Sequence, residues 1–294
     1  MSPRGRALFR FALLVVAAAF CTLSVGGVVT SRDAGMAFAD WPLSNGSVNP
    51  DGWIRYPDMR SEHGHRIFGA LLGTLATVLL VWVWRQRPRR GARPLALAAW
   101  LAIVGQGVLG GFRVLENSTH KALLHGCVGQ AIFCALVALA WLLRPGERRE
   151  GGGDRRLRGA AISCVLVLYL QIVLGAQLRH VRGPLESHLL GAVIVFGSVL
   201  WAAGLALLHH RDERALARPA LALACLFVLQ VLLGFASAAT LRGQSPGEYT
   251  LAQVILPTAH QTTGACLLAV SVVLALAAHV RPASEAARLQ GAYA

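Results

Sequence analysis

Apolar residues gather in eight long runs, near 8–30, 65–84, 95–113, 121–143, 159–178, 187–208, 217–239 and 257–279, with the polar and charged positions collected between them. A run of about 20 apolar residues, rising 1.5 Å per residue, crosses a hydrocarbon core of roughly 30 Å. The pattern therefore predicts an all-α chain with eight transmembrane helices. Composition agrees: the chain is 55% hydrophobic and 14% charged, where soluble domains carry about 25% charged residues. The first run follows a basic start, MSPRGRALFR, as in a secretory signal. It is too long for one and has no small-x-small cleavage site, so a retained first helix is expected. So little precedes it that an organelle transit peptide has no room, which points to a prokaryotic plasma membrane.

The net charge of +14 could suggest nucleic acid, but the basic residues follow topology and form no basic binding face. Of the 28 Lys plus Arg, 19 fall at the N-terminus, in the even-numbered inter-helix loops and in the C-terminal tail. The positive-inside rule makes that side cytoplasmic, with both termini inside, and Trp82, Trp84 and Trp141 lie just before its arginines as interfacial anchors do. The six cysteines (Cys21, Cys127, Cys134, Cys164, Cys225, Cys266) all fall inside predicted spans. They read as packing residues, and no disulfide is expected.

The chain repeats itself. Gln-x-x-Leu-Gly occurs as QGVLG from Gln106, QIVLG from Gln171 and QVLLG from Gln230. Four predicted spans open on a His followed within a turn by Gly, at His65, His125, His188 and His260. The chain thus divides into two four-helix halves, 1–145 and 157–294, joined by a Gly/Arg-rich linker at 146–156. An even number of spans per half makes them parallel repeats about an axis along the membrane normal. Each half owns one pair: His65 with His125, and His188 with His260.

Ionisable residues at membrane depth are functional candidates by default. A lone His at a helix end is usually an interfacial group, but four in register, two per repeat, read as ligands. Haem fits because its iron takes imidazoles on two opposite axial sites, which facing helices at equal depth can supply. The Gly a turn deeper leaves space for a flat ring or a close helix neighbour. Zinc would ask for a closed Cys/His tetrahedron or an added carboxylate. His209, His210 and His279, beside arginines, read as solvated interfacial groups, and His63, His120 and His180 as outer-loop neighbours. Glu62, three residues before His65, shares its face if the helix reaches that far; the second half has Leu185 at the matching place before His188. Chemistry is therefore expected in the first half and support in the second, with a helix N-terminal carboxylate as the plainer reading of Glu62.

The segment GGVVTSRDAGMAFADWPLSNG (26–46), above all Asp40-Trp41-Pro42-Leu43 and Asn45-Gly46, together with EHGHRIFG, QGVLGG, GAQLRH at 175–180 and the helix starts at His125, His188 and His260, resembles the haem A synthase family in the same order along nearly the whole chain. Phe38 and Ser44 stand where that family often has a Cys pair, which disfavours a loop thiol or disulfide in turnover. The resemblance implies a membrane oxidoreductase that oxidises the C8 methyl of haem O to a formyl, giving haem A, through two successive oxidations and loss of water. It implies haem O as substrate between His65 and His125, and haem b as cofactor between His188 and His260. Glu62 is then the acid/base or water-orienting residue, and Arg66, Arg179 and His180 are candidate propionate contacts. Candidate partners are haem O synthase and a cytochrome oxidase subunit, besides an unidentified electron donor or acceptor. The rival reading is a non-catalytic di-haem cytochrome b carrying electrons in the membrane, which would stack its haems at different depths. A transporter would want broken helices and polar groups near mid-bilayer; Gln106, Gln171 and Gln230 read instead as helix-packing amides.

Overall fold

A computed structural model describes residues 3–86, 91–145, 148–150, 154–240 and 248–282. Eight helices carry the fold: α1 (Pro3–Ser31), α2 (Pro57–Gln86), α3 (Ala92–Leu115), α4 (Thr119–Leu143), α5 (Arg155–Val181), α6 (Leu185–His209), α7 (Arg214–Thr240) and α8 (Leu251–Ala278). All eight are long and apolar enough to span a bilayer, so this is a multi-pass membrane protein. Two short strands, β1 (Arg148–Glu150) and β2 (Val280–Pro282), pair antiparallel. They tie the chain after α4 to the chain after α8, within the segment expected to be linker; Gly151–Gly153 of that linker lie outside the described residues.

Local chemistry sets where the helices start. α2 begins eight residues before its apolar run, with Pro57 at a first-turn position that needs no N–H and Asp58 in the first turn, both favourable there. That extension puts Glu62, His63 and His65 on one helix. α8 also starts early, through a capping box in which Thr250 and Gln253 satisfy each other's backbone donors. Asp154 caps α5 by accepting from the N–H groups of Arg156 and Leu157.

The helices close into two rings of four. α1, α2, α3 and α4 touch in sequence and α4 returns to α1; α5, α6, α7 and α8 do the same. Between the rings, α1 meets α8, α4 meets α5, and α4 meets α8. The buried apolar cluster lies toward one end only. It takes the first halves of α1, α3, α5 and α7 (Leu8–Ala19, Ala92–Ile103, Leu157–Leu168, Leu216–Leu223) and the second halves of α2, α4, α6 and α8 (Leu72–Val83, Ile132–Leu143, Val195–Ala206, Ala265–Ala278). This is the arginine-rich end. The four histidines stand in the other half of the bundle, above that packed floor.

Candidate functional site

Each histidine of the repeat rests on a glycine of the preceding helix. A Cβ on Gly26 of α1 would lie 2.9 Å from the His65 ring, and one on Gly110 of α3 would lie 2.9 Å from His125. In the second ring a Cβ on Gly175 would meet His188 at 3.2 Å and one on Gly234 would meet His260 at 3.1 Å. Three of these glycines close the Gln-x-x-Leu-Gly motif. The fourth, Gly26, closes TLSVG from Thr22, the same spacing with Thr in place of Gln. That element went unread in the sequence because the shared letter is only the glycine.

The glutamines answer across the same interfaces. Gln106 Nε2 donates to the His125 carbonyl (2.6 Å), and Gln171 Nε2 donates to the His188 carbonyl (2.9 Å) and lies 3.2 Å from its Nδ1. His260 Nδ1 donates to the Gln230 carbonyl (3.1 Å), while the Gln230 amide sits 3.4 Å from His260 Nε2. The glycine a turn beyond each of these histidines makes room for the amide: a Cβ on Gly129 or Gly264 would stand 3.2 Å from Gln106 or Gln230, and one on Gly191 would overlap Gln171. Of the two uses expected for these glycines, the close helix neighbour is therefore the one seen. Gly69, after His65, has nothing within 4 Å of where its Cβ would be.

So placed, the rings face each other in the expected pairs. His65 and His125 have centroids 6.2 Å apart at 77°, and His188 and His260 have centroids 6.3 Å apart at 68°. An imidazole nitrogen sits about 2.0–2.1 Å from a divalent metal and roughly 1.1 Å from its own centroid, so two imidazoles on opposite sides of one metal bring their centroids to about 6.3 Å. Both pairs have that separation. Each of the four histidines is partly buried, and the Nδ1 atoms of His65 and His125 are buried short of a hydrogen bond. Among the described residues no three of His, Cys, Asp and Glu converge, so the histidines offer two-ligand sites, which suit a metal that brings its own equatorial ligands. The residues present fit haem.

The segment 32–56 folds against α2 and α3 beside the first pair. Asp40 accepts from the backbone N–H groups of Asn45 and Gly46, both 2.8 Å, where positive φ at each suits Asn and Gly. Those bonds, that from Gly46 first, hold the Asp40 carboxyl below its usual range. Trp41 lies on Gly111, where a Cβ would come within 2.5 Å of the indole, and the Arg113 guanidinium donates to the Gly35 carbonyl. Glu62, 4% exposed, is gripped from both sides: Oε1 pairs with Arg66 at 2.5 Å and Oε2 accepts from the Phe38 N–H at 3.1 Å. Arg66 also donates to the carbonyls of Asp40 (2.8 Å) and Leu43 (2.5 Å). Glu62 and Arg66 thus fasten the loop onto α2.

His63, expected in a loop, is instead a buried residue of α2. The hydroxyl of buried Ser44 stands 3.0 Å from its Nδ1, the Trp53 ring packs edge-on at 4.7 Å, and Phe38 lies at 6.0 Å. Phe38 and Ser44 therefore hold the loop by packing and hydrogen bonding around one histidine. Arg179 donates to the Thr30 carbonyl at 2.8 Å, joining the end of α5 to the end of α1. His180 Nε2 would lie 3.8 Å from a Cβ on Gly126, beside the turn that carries His125, so a second-ring residue attends the first-ring pair.

At the opposite end, His210 is not simply solvated. Its Nε2 meets Asp154 at 2.9 Å and its Nδ1 meets Glu213 at 2.7 Å. Partial burial disfavours its cation, but the hydrogen bonds to Asp154 and then Glu213 outweigh that and raise its pKa; the bond from His210 in turn lowers that of Asp154. His279 is approached by Arg158 at 3.1 Å.

Eight spanning helices in two rings, each framing a facing histidine pair near one end of the bundle, define a polytopic membrane protein with two matched bis-histidine sites. The model of the family described as Cytochrome oxidase assembly protein (COX15-CtaA) matches residues 59–187, from α2 into α6. Over that stretch the chain is similar to this family. A Heme A synthase of Symbiobacterium thermophilum is 33% identical over 168 residues, 53% of each chain. One from Halalkalibacterium halodurans is 28% identical over 61% of this chain and 62% of its own, and one from Rhizorhabdus wittichii is 24% identical over 91% and 93%. The match to the first two of these relatives thus spans about half to three fifths of their length.

Proposed function

We propose that this chain is a haem A synthase, an oxidoreductase that converts the C8 methyl of haem O to a formyl. The observation that carries the reading is the pair of imidazole couples, 6.2 and 6.3 Å apart, joined to an asymmetry: among the described residues, only the first has a buried carboxylate, Glu62, nearby. The chain's similarity to the cytochrome oxidase assembly family over residues 59–187 and to Heme A synthases supports the same conclusion. In this reading residues 1–145 form the substrate half, with haem O between His65 and His125. Residues 157–294 form the cofactor half, with haem b between His188 and His260. Haem b, which His188 and His260 would hold, would supply one-electron redox chemistry at a potential tuned by those histidines and by its burial.

The chain's own residues do the rest. Gly26, Gly110, Gly175 and Gly234 let the imidazoles lie close against neighbouring helices; the Gln106 and Gln171 amides hold His125 and His188, and the Gln230 carbonyl takes the His260 Nδ1 proton, leaving Nε2 for a metal. Glu62 keeps lone pairs beyond its two bonds, since a carboxylate offers about four acceptor positions, so it can take the proton of, or orient, a water beside the substrate. Segment 32–56, pinned through Arg66, Asp40, Trp41 and His63, excludes bulk water from that side of the first pair. Arg66, Arg179 and His180 supply donors for propionates on the same end of the bundle. At the second pair Leu185 opens α6 as an exposed residue, and no carboxylate stands in the place of Glu62. We place the protein in a prokaryotic plasma membrane with both termini cytoplasmic and the histidine end outward, close to haem O synthase as the source of substrate and to a cytochrome oxidase subunit as the destination of product.

Expression in cells that make haem O but lack a haem A synthase tests the assignment. Mass analysis of extracted haems is expected to show the formyl product. Haem O left unconverted, with the protein present in the membrane, would overturn it.

A further inference from the structure

The four hairpins α1–α2, α3–α4, α5–α6 and α7–α8 present the same histidine on the same glycine, yet they do not restrain it equally. In three of them a glutamine holds the histidine: the Gln106 amide on the carbonyl of His125, the Gln171 amide on the carbonyl of His188, and the Gln230 backbone carbonyl on the Nδ1 of His260. In the first, Thr22 occupies the glutamine's place. Its hydroxyl is shared between its own helix, at Ala18 O (2.8 Å), and Phe68 O (3.2 Å), three residues beyond His65. Neither the carbonyl nor the ring of His65 receives a side-chain amide among the described residues; its Nδ1, like that of His125, is buried short of a hydrogen bond. The space that an amide fills against Gly129, Gly191 and Gly264 is open at Gly69.

We infer that Thr22 makes His65 the exchangeable ligand of the four, so that the first site loads and releases its haem on the α1–α2 side. The inference rests on the substrate half being the first ring. It follows from what each half must do: a substrate site has to let its occupant go in every cycle, whereas a cofactor site does not. A ligand whose own carbonyl and ring take no side-chain hydrogen bond opens more often, and one neutral hydrogen bond is worth about three- to tenfold in such an equilibrium. Thr22 is a positioning residue in this scheme; it acts through His65.

Two substitutions test it, read by haem transfer from the purified, haem-loaded protein to an excess of apomyoglobin. In the unaltered protein one haem is expected to leave much faster than the other. Thr22→Gln, whose amide has room against Gly69, is expected to slow the fast phase about three- to tenfold, leave the slow phase unchanged and keep the low-spin bis-imidazole spectrum. Gln171→Thr makes the reverse change in the second ring and is expected to quicken the slow phase by a similar factor, which keeps the test open should the first variant fail to assemble. An unchanged fast phase in folded Thr22→Gln, or an unchanged slow phase in Gln171→Thr, would overturn the role of Thr22. A protein that holds no haem at either pair would instead sink the underlying assignment, and the two failures are told apart by the haem content before transfer.

Discussion

Glu62 holds two loop contacts at once, the Arg66 guanidinium on one oxygen and the Phe38 N–H on the other. Glu62→Gln keeps the shape and an acceptor for Phe38 but loses the charge that faces Arg66. Product formation is expected to fall tenfold or more, the usual scale for an acid/base group, while haem b content holds; haem A output at the unaltered level would remove Glu62 from the reaction. The residue was legible in the sequence by its place three before His65 and by the missing acid at Leu185. Its surroundings were not, because Phe38 reaches it, and Asp40 and Leu43 reach its partner Arg66, through a 25-residue loop whose path no local pattern reveals. His63 was missed for a related reason: its surroundings of Ser44, Trp53 and Phe38 come entirely from that loop.

At the scale of elements, the helix hairpin is the working unit, a histidine on a glycine with an amide returned. Gly110→Ala sets a Cβ 2.9 Å from the His125 ring, and overpacking of this kind costs about 1–3 kcal/mol. Haem content at the first pair is expected to drop while the second pair keeps its own, as read by haem per protein; equal loss at both pairs would mean general misfolding. All eight helices and the pairing of histidines could be read from apolar runs and spacing. The histidines were expected to open their helices, yet polar first turns such as Pro57–Asp58 carry α2 back past His65. The Asp154–His210–Glu213 cluster ties the start of α5 to the α6–α7 turn and should be sensitive to pH. The raised pKa of His210 means its stabilisation is full below about 6.5 and is lost as pH rises through the higher folded value. The lowered pKa of Asp154 means its share is present above about 3.8 and is lost as pH falls through the lower folded value. Thermal stability in detergent is therefore expected to exceed that of His210→Ala most between those limits, and a constant difference from pH 4 to pH 9 would contradict the pairing.

The whole molecule is two rings standing on one packed floor, with the histidine pairs together at one end of the bundle. That arrangement separates it from a di-haem carrier with centres at two depths across the membrane. The arginine-rich end is expected to face the cytoplasm, so a fluorescent reporter fused after Ala294 should light up and alkaline phosphatase there should stay inactive; the opposite result would invert the topology. Gln-x-x-Leu-Gly and the four histidines pointed to a repeat in the sequence, and the matching hairpin around Thr22 was not read with them because the amide that marks the motif is absent there. Haem content after loss of one histidine from each pair is the most direct measure of the central claim. The unaltered protein, purified from cells supplying haem O, should carry two haems per chain with low-spin bis-imidazole spectra. His125→Ala should lose the farnesylated haem and keep haem b, and His260→Ala should lose haem b. Two haems retained in either variant, or one haem lost alike whichever pair is broken, would contradict the account.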